Sequence, residues 1–355
     1  MDDYFRTTYR AVCNRTSPEL LTSPEFLRTA CHLGSLLMFT TSFYALFLVL
    51  TVSPRAMRSS VPYILNLHLW TMFCDFMFAI MLLPYFMLPL LVIKPFGVLH
   101  DLGTPPKLQL WLAFASLGGM CSAIISLFEY RHRSIVSNSR FVMRNKPTIL
   151  LYNLVLYGYH INFGVPEVLT MPDDQEAVKW KLLQTLPCPP PVFFEPDAFV
   201  VQEDGRRLFN PHMYFTCLTI SLLAAFYALH TLWHLRPQNN PLMSQSTRKF
   251  QRNFLFSSAV QASIPVTVVL VPNVYWNLTI TFGFHSQEAN NISVVVLTLH
   301  GIAASLGIVF LYTPYRNFTK NLFRRHVLKT KRVSSISMSN LDSSVVIRRT
   351  TRSRT

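Results

Sequence analysis

Residues 107–133 read "KLQLWLAFASLGGMCSAIISLFEYRHR". One lysine precedes some twenty apolar or small residues, and then Glu129, Arg131, His132 and Arg133 arrive within one helical turn or so. About 20 residues rising about 1.5 Å each span the hydrocarbon of a bilayer. The stretch therefore reads as one membrane helix with a charged end. Six more of the kind lie near 28–52, 63–86, 148–169, 211–235, 254–276 and 293–313. Two are less regular: apolar character after the second continues toward Ile93, and the fourth holds Asn153, His160 and Asn162. Of 355 residues, 50% are hydrophobic and 14% charged, against about 25% charged in an ordinary soluble domain. The expected fold is an all-α membrane protein, a seven-transmembrane helix bundle over 28–313. A large soluble core would instead need seven helices apolar on every side and little else.

Orientation follows from Lys and Arg, which favour the cytoplasmic side. The segments 53–62, 131–146, 236–252 and 314–355 hold 22 of them; the segments 1–28, 94–107, 170–209 and 276–292 hold 10. The acids run the other way, thirteen in the second set and only Asp342 in the first. The N-terminus is thus expected outside and the C-terminus in the cytoplasm. The net charge of +15 becomes mostly a property of the inner face. It suits anionic lipid at the inner leaflet and an acidic cytoplasmic partner. It does not point to nucleic acid, because no soluble domain displays it. Residues 1–27 are polar and read as an extracellular N-terminus, with the first span acting as signal anchor.

After Pro314 the sequence "YRNFTKNLFRR" places Phe318, Leu322 and Phe323 on one helical face beside Lys320, Arg324 and Arg325. Residues 314–326 therefore read as an amphipathic juxtamembrane helix, the alternative being a frayed basic tail. Residues 327–355, rich in Ser, Thr and Arg, read as a disordered cytoplasmic tail. Phosphates there would offset its positive charge.

Cys31, Cys74, Cys121 and Cys217 fall inside spans and read as small buried side chains. Cys13 and Cys188 are the two in loops, both on the predicted oxidising side, so a disulfide between them is expected; the alternative is a pair of free thiols. Asn14, Asn277 and Asn291 head glycosylation sequons on that same side. Asn14 is the best placed, and the other two lie close to a membrane edge.

Asp75 is the one acid deep within a span, and such residues are costly without partners. Counted from Tyr63 it lies roughly 18 Å in, and His300, counted back from Thr313, roughly 20 Å in. His68 shares nearly the same helical face as Asp75. Asp75, His300 and His68 are expected to form a buried polar cluster. The alternatives are a protonated Asp75 bonded to backbone and a satisfied core histidine. No His, Cys or Asp pair has clear metal-ligand spacing, and no enzyme motif is present, so neither a metal, a cofactor nor an enzymatic activity is expected.

Six stretches together resemble the nematode serpentine chemoreceptors of class H: "SPEFLRTACH" (23–32), "ILNLHLWTMFCD" (64–75), "SLFEYRHR" (126–133), "LPCPPP" (186–191), "AVQASIPVTVVLVP" (259–272) and "LHGIAASLGIVFLYTPYRNF" (299–318). The resemblance covers about residues 23–320. It implies a G-protein-coupled receptor in the plasma membrane of a chemosensory neuron, its sensory cilium included, for a small odorant or pheromone-like ligand, with a heterotrimeric G protein as partner. By the same likeness Glu129, Arg131, His132 and Arg133, with Tyr315 and Arg316, form the coupling switch. The family's Glu-Asn-Arg here has Tyr130 in place of Asn. Residues two apart on a helix do not face each other, so Glu129 is expected to pair with Arg133 at i+4 or with a base on another helix. The bland alternative is a stop-transfer boundary. Gln261 and Pro265 resemble a hinge in the sixth helix, since proline removes a backbone bond; a packing proline is the alternative. Trp111, Phe114, Phe163, Tyr214, Tyr275 and Trp276 are the ligand-pocket candidates, although aromatics are also membrane anchors. A seven-span carrier or channel, or a receptor for an internal signal, is the competing reading. The carrier is disfavoured by the lack of an internal repeat and of paired charges along a path.

Overall fold

Ser23 is followed by Pro24, which is preorganised for a first helical turn and has no N–H to leave unpaired. The Phe26 amide donates to Ser23 Oγ at 3.1 Å, and helix α1 runs Pro24–Thr51. The structure is a computed structural model and describes residues 1–13, 20–136, 141–241 and 243–325. Next come α2 (Val61–Leu82), α3 (Pro106–Ile135), α4 (Lys146–Ile161), α5 (Phe209–His234), α6 (Gln245–Phe282) and α7 (Gln287–Leu311). A shorter helix, α8, covers 313–325. Among the described residues six helices are long and apolar enough to cross a membrane, and α4, with 16 residues, is the short one. Asn14 and residues 326–355, and with them the expected tail, lie outside the described residues.

Helix length and apolar length differ. α6 begins at Gln245, where Ser244 Oγ accepts the Thr247 amide, and ends at Gly283 in left-handed geometry (φ 72°). Its 38 residues far exceed what the hydrocarbon requires, because polar residues continue a helix beyond the lipid. Pro265 lies within this unbroken helix. The second span is shorter than the apolar run suggested. Leu83 turns left-handed (φ 42°) before Pro84, and the chain becomes a hairpin instead of continuing to Ile93. Proline after Leu83 bars helical geometry there.

The hairpin pairs β1 (Pro84–Met87) with β2 (Val92–Pro95) in antiparallel register, Pro84 opposite Pro95 and Met87 opposite Val92. A third strand, β3 (Phe199–Val200), joins β2. This sheet covers one end of the bundle as a lid. Phe5, Tyr9 and Phe194 pack together over it, and Tyr9 donates its hydroxyl to Pro189 O. Cys13 and Cys188 are joined in a disulfide across 175 residues, with Cα atoms 5.6 Å apart. Lys94, only 5% exposed, holds both Glu195 and Asp197 at 3.0 Å.

α3 is the central helix. Of its most apolar window 72% is buried, against 17% for α5. Gly118 is one reason: a Cβ there would strike the His160 carbonyl of α4, so glycine lets the two backbones approach. The outer faces of α1 and α5 leave large apolar side chains uncovered, among them Leu36, Phe43, Phe215 and Leu229. Acyl chains would cover such a surface; water would not.

Two predictions concern the lid. Cys13→Ser should lower stability by about 2–4 kcal/mol, read as the thermal midpoint of the purified protein, and reductant should add nothing to the variant. Asp197 has its carboxyl held below the usual range chiefly by the hydrogen bond from Lys94. A depressed carboxylate adds stability that is present above its unfolded pKa of about 3.9 and lost as pH falls through the folded value. The thermal midpoint should therefore drop in acid below the ordinary carboxylate range, and Asp197→Asn should flatten that part of the profile.

Candidate functional site

The end of the bundle opposite the lid carries the charged end of α3. Because α3 continues to Ile135, Glu129 and Arg133 stand one turn apart on one face. Arg133 Nε donates to Glu129 Oε1 at 3.0 Å, and its Nη2 donates to Tyr63 OH at 3.0 Å. Glu129 is 2% exposed, so the pair sits where a carboxylate most needs a partner. Tyr130 stacks on Tyr63 at 4.2 Å and donates to Ser59 Oγ at 2.8 Å.

Arg131 is arranged differently. It is buried, and its guanidinium lies 3.3 Å from the ring centroid of Phe254 on α6. Its Nε and Nη2 meet no hydrogen-bond acceptor among the described residues. A desolvated cation–π contact of this kind contributes about 2 kcal/mol. Phe254 meets Tyr312 edge-on at 5.5 Å, and Tyr312 donates to Gln261 Oε1 at 2.7 Å. Tyr315, fully buried, packs on Tyr312 and shares a 2.7 Å hydrogen bond with Ser53 Oγ. Arg131 is thus joined through rings to α6, the end of α7 and the end of α1. His132 instead faces α5, with Nε2 2.7 Å from His230 Nδ1. Arg316 reaches back to Phe310 O at 3.5 Å. On α8, Thr319 shares a 2.8 Å hydrogen bond with Tyr44 of α1, while Leu322 and Phe323 stay exposed beside Lys320, Arg324 and Arg325.

Midway along the bundle, Asp75 Oδ1 lies 2.7 Å from His300 Nδ1, both groups buried. Three features make room for the pair. α7 is interrupted at Leu299, His300 Nδ1 also lies 2.6 Å from Leu297 O, and Gly301 carries no side chain. A Cβ at Gly301 would run into the Asp75 carboxylate. His68 is not in this contact. Its Nε2 is 3.0 Å from Ser42 O, and Ser42 Oγ bonds Ser305 Oγ at 2.8 Å. The expected three-residue cluster is therefore two adjoining contacts, one between α2 and α7 and one joining α1, α2 and α7.

Under the lid is a cavity enclosing about 850 Å³ of empty space, mouth included. Of the six aromatic candidates, Phe114 and Trp276 line it. Phe163 lines a neighbouring cavity and packs edge-on against Phe114 at 5.3 Å. Trp111, two residues from Gln109 and hence off the lining face, donates to Asn162 Oδ1 at 3.3 Å. Tyr275 is turned away by one helical step from Trp276 and donates to Asn290 Oδ1 at 2.9 Å. Tyr214 is 47% exposed on the outer face of α5. Two sequon asparagines also need correction. Asn277 and Asn291 are fully buried, with their amides donating to Asn273 O and Leu21 O, which leaves no space for a glycan.

Sequence reasoning missed Phe254, Tyr312, Gly301 and Gln109. A glycine directly after a buried histidine was the one legible signal among them; an aromatic in an apolar helix says nothing of which cation it covers.

Seven helices around a buried Asp75–His300 contact, with a lidded cavity at one end and a buried arginine at the other, define a seven-helix membrane protein. The family model for the serpentine type 7TM GPCR chemoreceptor Srh matches residues 22–325, and the chain belongs to that family. A curated relative, serpentine receptor class H-72 of Caenorhabditis elegans, is 24% identical over 333 residues, covering 91% of this chain and 92% of the relative. The protein is a multi-pass membrane protein of a receptor class.

His300→Ala should leave the Asp75 carboxylate buried without its partner and cost about 3–5 kcal/mol. Asp75→Asn, which removes the charge and keeps the shape, should cost clearly less. Thermal denaturation of the purified receptor gives the comparison; equal losses would mean that the pair acts as packing alone.

Proposed function

We propose that this chain is a chemosensory receptor that takes a small environmental molecule at the lid end and signals to a heterotrimeric G protein at the Arg131 end. The observation that carries the reading is Arg131 itself: a buried guanidinium held on α6 by an aromatic ring and, among the described residues, by no carboxylate. Such a contact is lost when the inner end of α6 moves away from α3, and the freed guanidinium then has donors to offer an incoming partner. Glu129 does not hold Arg131 back; it fixes the neighbouring turn through Arg133 and Tyr63. The Tyr312–Gln261 bond ties α6 to the end of α7, so movement around Asp75 and His300 is mechanically connected to the Phe254 ring. That pair is read as the bistable element that ligand biases.

The lid end is read as extracellular and the Arg131 end as cytoplasmic. The disulfide at the first and the surplus of Lys and Arg at the second support this. Exposed Leu322 and Phe323 beside three bases suit α8 to anionic lipid at the inner leaflet. Plasma-membrane placement in a sensory cilium follows from the proposed role, and imaging of a C-terminally tagged full-length chain in nematode sensory neurons tests it. Uniform labelling of a non-neuronal epithelium would favour a receptor for an internal signal.

Arg131→Ala should abolish agonist-driven G-protein activation with surface display unchanged. Phe254→Leu, which keeps volume and removes the π face, should raise basal activation severalfold. Unaltered signalling in Arg131→Ala would overturn this assignment of the switch.

A further inference from the structure

The cavity under the lid has an unusual inventory. Among the described residues twenty line it and none of these is charged. Apart from Trp276, Gln109 and Asn273, they are hydrocarbon or thioether side chains. The Trp276 indole is already committed, donating Nε1 to Ser293 Oγ at 2.6 Å. Gln109 lies in the first turn of α3, one turn before the lining residue Ala113 and on the same face. It is 3% exposed. Its Nε2 donates to Thr104 O at 2.7 Å; of the two amide atoms only the nitrogen carries hydrogens, so this contact with a carbonyl oxygen fixes the amide orientation. Oε1 is therefore the free atom, and it has no hydrogen-bond partner among the described residues.

We propose that this cavity binds a small neutral molecule that is mostly hydrocarbon and carries one hydroxyl, which donates its hydrogen to Gln109 Oε1. This deepens the chemoreceptor reading and rests on it. The chemistry excludes the alternatives in turn. A buried acceptor left without a donor is costly, and a ligand O–H removes that cost while the apolar wall desolvates the carbon skeleton. A ketone of the same skeleton brings a second acceptor to Oε1 and forms no bond there; it would have to turn to the Asn273 amide and leave Oε1 without a donor. A carboxylate meets that same oxygen with no cation in the lining, and an alkylammonium finds no carboxylate; both would be desolvated without compensation. Selectivity then comes from one polar atom on an apolar wall, as in sites built to hydrogen-bond a hydroxyl.

The test uses purified full-length receptor in lipid nanodiscs. Its readouts are thermal stabilisation and quenching of tryptophan fluorescence, neither of which needs a G protein. The probes are straight-chain and monocyclic alcohols, each with the alkane, ketone, carboxylate and ammonium of the same skeleton. We expect at least one alcohol to bind, with its ketone and alkane weaker by about 10-fold or more, the scale of one lost hydrogen bond at a buried acceptor, and its charged analogues inactive. Gln109→Leu should bring alcohol and ketone to equal affinity while tightening the alkane. The wild-type ranking decides the matter even if that variant does not fold. The proposal is overturned if no probe binds, if ketone or alkane equals alcohol on wild type, if a charged analogue binds best, or if Gln109→Leu keeps the preference for alcohol. Binding with this ranking but without G-protein activation would instead count against the signalling role and leave the ligand class standing.

Discussion

Lipid offers no hydrogen bonds, so each polar side chain inside this bundle must find its partner within the protein. That constraint organises the middle of the protein. Asp75 reaches His300, Ser42 reaches Ser305, His68 reaches the Ser42 carbonyl, and Gly301 gives up its side chain so that the carboxylate fits. These contacts join α1, α2 and α7 into one unit. α3, the most buried of the six long helices, packs beside it through Gly119, where a Cβ would strike the Trp70 ring of α2, and carries Gln109 toward the lid and Arg131 away from it.

The two ends are held by different physics. At the lid, a disulfide, two ion pairs on Lys94 and a cluster of aromatic rings fix the sheet over the cavity. At the other end the Glu129–Arg133 pair lies within α3, and the contacts running out from Arg131 to other helices are rings: Arg131 on Phe254, Phe254 on Tyr312, Tyr312 on Tyr315. Ring contacts are worth about 0.5–2 kcal/mol each. They are separable by a modest shift of α6, whereas the lid is not separable without breaking covalent or charged links. On the proposed reading, this difference leaves the lid end closed and lets the Arg131 end release.

Much of the site was legible, for reasons that can be named. Asp75 and His300 stood out because ionisable residues in a span must be matched, and depth counting put them at one level. The i+4 spacing of Glu129 and Arg133 is a property of the helix itself. His68 was placed with Asp75 on helical face alone, and the rotation of α1 gave it Ser42 instead. The aromatic candidates failed in most cases because one residue is about 100° of helix. Trp276 lines the cavity and Tyr275 does not, and hydropathy treats the two alike. Asn277 and Asn291 satisfied a three-residue pattern but are fully enclosed by helices.

By itself the sequence determined the number and order of the apolar segments, the charge asymmetry between the two loop sets, and the class of fold. Each of these depends on residues near one another along the chain. Tertiary structure alone decided that the apolar run after α2 folds back as a hairpin, that Arg131 lies on a ring, and that Gln109 lines a cavity with its amide oxygen left without a partner among the described residues. The physical reason is shared: a side chain's partner in these cases comes from a distant segment, and its identity depends on helix rotation and depth, which local patterns leave free.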